Sequence, residues 1–285
     1  HLVLLGRHFF FSVFQAHRVF CEFFQQSKHE VPQKKTTALV IAPMANSKFE
    51  YVRVFETHTT ILPETFIVVR IDGKNFHEFS THYNFDKPND IRALGLMNAA
   101  AKNLVLKYKS EIICAFGESD EFSFILRKDT ALYNRRSDKI ATLFASYFTA
   151  QYIFLWNKFF QTEENPQELD FKHLPCFDSR CVTYPNLKTI KDYLSWRFVD
   201  THINNLYNTA FWKLILICGL DPKAAEGELC GTLSSDKNEI LWTKCNVNYN
   251  DEPEIFKKGS LINKKGEILH IDVIKNIDTI FKGFE

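Results

Sequence analysis

From Phe66 to Ile71 the chain reads Phe-Ile-Val-Val-Arg-Ile, an apolar run of strand length that stops at Asp72-Gly73. Asp86-Lys87-Pro88-Asn89-Asp90 then supplies a helix start, with Pro88 suited to the first turn. Ile91, Leu94, Met97, Ala101, Leu104, Val105 and Tyr108 follow at helical spacing and predict a buried stripe. Glu111 to Phe116 and Glu121 to Arg127 are two further strand signals. The turn-like Gly117-Glu118-Ser119-Asp120 between them makes the pair a hairpin. A second long helix is predicted from about Ser137, with Ile140, Leu143, Phe144, Tyr147, Phe154 and Trp156 available for its buried side. Arg180 to Tyr184 reads as a fourth strand, stopped by Pro185. From Asn186 the pattern is mostly helical to about Cys230, broken by Gly219 and Pro222. A terminal hairpin turns around Asn263-Lys264-Lys265-Gly266.

The order strand, helix, strand, strand, helix, strand is that of an α+β fold of the ferredoxin-like βαββαβ kind, an antiparallel sheet with two helices over one face. This topology sets the end of strand one beside the central hairpin. Three regions follow: an extension over 1–43, a sheet domain over 44–185, and a helical C-terminal region over 186–285. The extension begins at His1, is rich in Phe, and carries Arg7, His8, Arg18 and Lys28 with few acids. It reads either as an organelle-targeting segment or as an upstream extension of the gene model. The second is favoured because Met44-Ala45-Asn46 looks like a natural start and the Phe content suits a transit peptide poorly.

Composition narrows the function. Apolar residues make up 45% and charged residues 24%, ordinary for a globular protein. A net charge of +1 gives no global basic field, so any polyanion site must come from local clusters of Lys and Arg. The seven cysteines include no CxxC pair, and no Cys or His stands at zinc-finger spacing. Free thiols in a reducing compartment are expected, and no zinc site. No stretch approaches the ~20 apolar residues of a membrane helix, so no membrane span is expected.

The chemistry gathers at one sheet edge. Asp72 leaves strand one, and Asp120 and Glu121 sit at the hairpin tip, so three carboxylates are expected to converge. Mg²⁺ ions need such oxygens and can activate a hydroxyl while neutralising a phosphate. Gly73 would let the backbone approach a metal or triphosphate closely. Each motif alone is also ordinary turn chemistry. Lys74 and the loop amides up to His77 could cradle phosphates. Alternatively, Phe76 packs in the core while Lys74 and His77 are merely exposed. Lys87 stands where an anion could meet a helix N-terminus. The run Arg127-Lys128, Arg135-Arg136 and Lys139 is either a solvated face or a phosphate-binding one. Asp200 to Asn208 crowds His202 and several amides onto one helix, for nucleotide bases or for a buried polar network. Asp236-Lys237-Asn238-Glu239 is open in the same way, with Lys237 the candidate for RNA contact.

Val69-Arg70-Ile71-Asp72-Gly73-Lys74-Asn75-Phe76-His77, Lys87-Pro88-Asn89-Asp90, Ser119-Asp120-Glu121, His202-Ile-Asn-Asn-Leu-Tyr-Asn208 and Asp236-Lys237-Asn238-Glu239 together resemble the tRNA-histidine guanylyltransferases. The resemblance runs from Met44 to the Gly259-Ser260-Leu261 hairpin. It implies a polymerase-type palm working 3′-to-5′ that adds one guanylate to the 5′ end of histidine tRNA. ATP would adenylylate the 5′-monophosphate, the GTP 3′-hydroxyl would displace AMP, and pyrophosphate would then be removed. It further implies that Asp72, Asp120 and the Gly73 carbonyl hold two Mg²⁺, with Glu121 the third catalytic acid. Asp72 to His77, Ser119 and Asp120 would contact GTP; Lys87, Arg136 and Lys139 the activating triphosphate; His202 and Lys237 the tRNA. A homotetramer is expected, in the cytoplasm, with mitochondrial association left open. Two other readings are a palm-fold nucleotide cyclase and a noncatalytic RNA-binding protein.

Overall fold

The computed structural model describes residues 47–161 and 167–284. The proposed extension over 1–43 and the Met44-Ala45-Asn46 motif read as a start lie outside the described residues. Glu50–Phe55 is a 3-10 helix within a separate N-terminal unit that ends at Glu56.

From Thr57 onward the centre is a six-stranded antiparallel sheet in the order β4-β1-β3-β2-β5-β6. Its strands are β1 (Phe66–Gly73), β2 (Ile112–Glu118), β3 (Glu121–Leu126), β4 (Phe177–Tyr184), β5 (Ser260–Asn263) and β6 (Ile268–Leu269). The first four strands form the expected ferredoxin-like core. The terminal hairpin turns at Asn263–Gly266 as expected, yet β5 pairs with β2 and so extends the palm sheet.

Helices α1 (Phe76–His82), α2 (Ile91–Lys107) and α3 (Ser137–Phe160) belong to this core. Asp90 caps α2, accepting from the backbone of Arg92 and Ala93 and clasping the Arg92 guanidinium at 2.6 Å. The buried side of α3 repeats every fourth residue as Ile140, Phe144, Phe148, Tyr152, Trp156 and Phe160. Phe154 departs from expectation: it is 80% exposed, because it stands half a helical turn away from that stripe. Ile91, on the first turn of α2, is 54% exposed.

Two helices over one face is an incomplete description. Ile67, Val69 and Ile71 of β1 join Phe122, Phe124 and the α2–α3 stripes in one core. The alternating Phe66 and Val68 join a second core on the other face, with Ile190, Tyr193 and Leu194 of α4 (Leu187–Leu216) and Val273 of the C-terminal helix α8 (Val273–Ile280). A strand buried on both faces needs apolar residues at successive positions, which explains the unbroken Phe66–Val69 run. The far half of α4 packs with α5 (Pro222–Leu229) and α6 (Ser234–Cys245) in a third, smaller core. A short helix α7 (Glu254–Lys258) leads into β5.

Candidate active site at the tip of the central hairpin

Strand register decides which acids meet. Asp72 is paired with Glu121 across β1 and β3, and the Gly73 N–H donates to the Asp120 carbonyl at 3.1 Å. The turn between β2 and β3 is shorter than the sequence suggests: Gly117 and Glu118 remain in the strand, and only Ser119 and Asp120 turn. Ser119 there adopts a positive φ of 48°. The Asp120 carboxyl is pushed upward by burial, and the neighbouring Asp72 charge adds to that shift. Among the described residues neither Asp72 nor Asp120 is in an ion pair with a basic side chain. A Cβ on Gly73 would come 2.5 Å from the Phe76 ring and 2.9 Å from Asp120 Oδ2, so a side chain there would displace Phe76 and Asp120. Two mutually repelling carboxylates beside a bare backbone make a donor set that fits a hard divalent cation.

Glu121 does not stand open as the third acid. Its carboxylate is engaged by Arg70 and by Arg197 of α4, whose Nη2 reaches Glu121 Oε2 at 3.0 Å. Arg197 also meets Glu118 at 3.0 Å and Asp200 at 2.9 Å. Burial pushes the Glu121 carboxyl upward while the two guanidiniums oppose it. Burial likewise raises Glu118 to about 7, against the pull of Arg197. The open pair is therefore Asp72 and Asp120, and Glu121 anchors the hairpin to α4. Sequence reasoning missed Arg197, because Glu118 and Glu121, the hairpin acids it holds, lie more than seventy residues away and its one local partner, Asp200, marks nothing by itself.

Ser119 and Asp120 stand between two adjoining cavities. One, of about 590 Å³, is lined by Phe76, His77, Lys87, Ser119, Asp120 and Trp212 among others. The other, of about 420 Å³, contains Asp72, Glu118, Asp120, Glu121, Arg197 and Asn208. Asn75 begins α1 in a left-handed conformation, and the Lys74 N–H donates to the Cys176 carbonyl at 2.8 Å. Lys74 and Asn75 are exposed and line neither cavity. Phe76 does both things open to it: it packs at a tilt against the Phe79 and Phe177 rings and still forms cavity wall. Burial lowers the Lys87 ammonium, Asp90 partly restores it, and its Nζ reaches Ser80 Oγ at 3.3 Å.

The basic run divides. Arg135 is buried and donates to the carbonyls of Ile61, Leu62, Thr65, Lys128 and Thr130. Arg136 and Lys139 line neither cavity; Arg136 bridges to Thr60, in the segment leading into β1, whereas Asp72 is near the strand's other end. Within one chain these two cations do not join Lys87. The polar α4 segment splits by face. Asn205 is buried, accepting from Asn89 at 2.9 Å and donating to Tyr249 at 2.9 Å at the wall of the smaller cavity, while the exposed Asn204 lines that cavity and Asn208 lines both. His202 is exposed beside Tyr249, with the partial burial of its ring, and then Lys257, lowering the imidazole. Lys237 sits 5.9 Å from the ring of Tyr207, a residue of both cavity walls.

A palm sheet with two unpaired carboxylates in the smaller cavity, one of them shared with the larger, fits the class that the relatives define: a nucleotidyltransferase. Family models agree, "tRNAHis guanylyltransferase" matching residues 49–185 and "Thg1 C terminal domain" matching 188–277. The chain belongs to the tRNA(His) guanylyltransferase family. It is 68% identical over 241 residues to tRNA(His) guanylyltransferase of Kluyveromyces lactis, covering 85% of this chain and 100% of that one. It matches the crystal structure of the Saccharomyces cerevisiae tRNA(His) guanylyltransferase with a TM-score of 0.77 at 68% identity, covering 81% and 99%. A bacterial guanylyltransferase-like protein in complex with ATP shares the fold at 22% identity, with a TM-score of 0.64 over 82% and 94% of the two chains.

Proposed function

We propose that this chain adds a single guanylate to the 5′ end of histidine tRNA. The carrying observation is the Asp72–Asp120 pair, without a basic partner among the described residues, both lining the smaller cavity and Asp120 also the larger one. The 5′-phosphate oxygen of the tRNA attacks the α-phosphorus of ATP and pyrophosphate leaves. The 3′-hydroxyl of GTP then attacks the activated 5′-phosphorus and AMP leaves. Water finally removes pyrophosphate from the added nucleotide.

Asp72, Asp120 and the Gly73 carbonyl are the groups that would hold two Mg²⁺, which supply charge neutralisation at the reacting phosphate and a lowered pKa for the attacking hydroxyl. Phe76 and His77 wall the larger cavity and orient a guanine nucleotide, with Ser119 donating to its phosphates. Lys87, on the same wall, offsets triphosphate charge. Glu121 keeps Asp120 in place through its clasp by Arg70 and Arg197. His202 and Lys237 take the tRNA on the helical side. Arg136 and Lys139, away from this chain's cavities, serve a triphosphate only at a separate site or in a neighbouring copy of the proposed homotetramer.

Supplying purified protein with 5′-monophosphorylated histidine tRNA, ATP, GTP and Mg²⁺, and sequencing the 5′ end, tests this. A guanosine added to that tRNA and none to phenylalanine tRNA is expected. A cyclic product from GTP alone would make it a cyclase, and no reaction with intact tRNA binding would make it a noncatalytic RNA-binding protein.

A further inference from the structure

Outside both cavities, the C-terminal end of α1 and the loop before β4 bring together three metal-ligating side chains far apart in sequence. His82 ends α1, while Asp170 and His173 belong to the loop. One ligand atom from each lies within 4.8 Å of the other two. His173 Nδ1 is 2.8 Å from Asp170 Oδ2, and the His82 and His173 rings stack with centroids 3.8 Å apart. Spacing rules for zinc sites find nothing here, because 88 residues separate His82 from Asp170.

The loop is held ready by a hub at Tyr83. Its hydroxyl accepts from the Asp170 N–H at 2.9 Å and donates to the His173 carbonyl at 3.1 Å. Its own carbonyl accepts from Gln167 Nε2 at 2.9 Å, and the Trp156 indole donates to the Gln167 carbonyl at 2.7 Å. The Asp170 carboxyl accepts from the Lys172 N–H at 3.0 Å; that bond first, and His173 second, hold it below the usual carboxylate range. The backbone carrying all three ligands is thus fixed before any ion arrives.

We propose that His82, Asp170 and His173 bind one zinc-class divalent cation. Two imidazoles with one carboxylate suit Zn²⁺, Co²⁺ or Ni²⁺, whereas Mg²⁺ prefers oxygen donors. Three protein ligands leave a solvent-facing position for water. Tetrahedral ligands stand roughly 3.3 Å apart at zinc–nitrogen bond lengths, so only side chains need move. Because a metal lies in the plane of each imidazole it binds, one of the two exposed rings turns out of the stack. The ion would tie the loop to α1, whose first turn carries Phe76 and His77, and the same loop ends at Cys176, the acceptor for Lys74. The clamp therefore bears on both sides of the segment 74–77.

The full chain, stripped with EDTA and desalted, is titrated by calorimetry with ZnCl₂ and MgCl₂, and with CoCl₂ followed by visible absorption. Cys218 and Cys245, with sulfurs 3.6 Å apart, are a rival thiol site, so the titrations use the Cys218→Ser background. One Zn²⁺ should bind with Mg²⁺ present at millimolar level. His82→Ala, His173→Ala and Asp170→Asn should each weaken it by at least about 10-fold, since losing a ligand costs no less than losing its supporting partner. These positions are exposed or half-buried, and circular dichroism checks that each variant folds. Absence of Zn²⁺ binding, or binding that all three variants retain, would overturn the proposal.

Discussion

On the α2–α3 face of the sheet, Ile67, Val69 and Ile71 of β1 share a core with Phe144, Phe148 and Tyr152. On the α4–α8 face, Phe66 and Val68 begin in the same apolar way, and then Arg70 and Asp72 follow. The first face is a tightly packed support. The second is that support for half its length and a charged cavity wall for the remainder. Because side chains alternate along a strand, one eight-residue element anchors the sheet and presents the acid. The core gives way to the charged wall where α4 stops contributing Leu194 and starts contributing Arg197.

Substitutions matched across the two faces sharpen this contrast. Arg197→Leu leaves Glu118 short of its guanidinium and Glu121 with Arg70 alone, and Phe148→Ala empties part of the aromatic core. Each should cost about 3–5 kcal/mol in urea unfolding. Only Arg197→Leu should also lower kcat for guanylate addition, by more than about 10-fold under conditions where both variants are folded, and Arg197→Lys should recover part of it. Equal kcat values for the two variants would erase the distinction between the faces.

Gly73→Ala places a methyl group against Phe76 and Asp120 at the end of the charged face. The Phe76 ring is packed by Phe79 and Phe177 and has little room to retreat. Stability should fall by about 1–3 kcal/mol and kcat by about 10- to 100-fold, read by unfolding and steady-state assays.

A smaller effect concerns pH. Burial raises Glu118 from 4.5 to about 7, so the folded protein holds a proton that the unfolded chain releases earlier. Metal-free stability should therefore decline as pH climbs from 4.5 through about 7. Glu118→Gln should flatten that decline by on the order of 2–3 kcal/mol in denaturation at a series of pH values. An unchanged slope would place the titration elsewhere.

Local pattern made β1 to β4, α2, α3 and the terminal hairpin legible, since each carries its own periodicity or turn chemistry. It also put Asp72 next to Asp120, because hairpin neighbours follow from topology. Helix α1 escaped notice: it has seven residues, starts at a left-handed Asn75, and buries only Phe79 fully. Phe154 lies on the other side of α3 from the one its sequence pattern predicts, because aromatics occur all round that helix and only packing selects the 140–144–148–152–156–160 row. The pairing of β5 with β2, the grip of Arg197 on Glu118 and Glu121, and the separation of Arg136 and Lys139 from Lys87 all depend on distant segments. No spacing rule reaches them.

The most direct measurement is thermal unfolding of the wild type and of Asp120→Asn, each with and without Mg²⁺, alongside guanylate addition. Removing one of two repelling carboxylates should raise the metal-free Tm, abolish the Mg²⁺-dependent rise seen in the wild type, and lower activity by at least about 10³-fold. A variant that keeps both the Mg²⁺-dependent rise and its activity would contradict the assignment of Asp72 and Asp120 as the metal-holding pair.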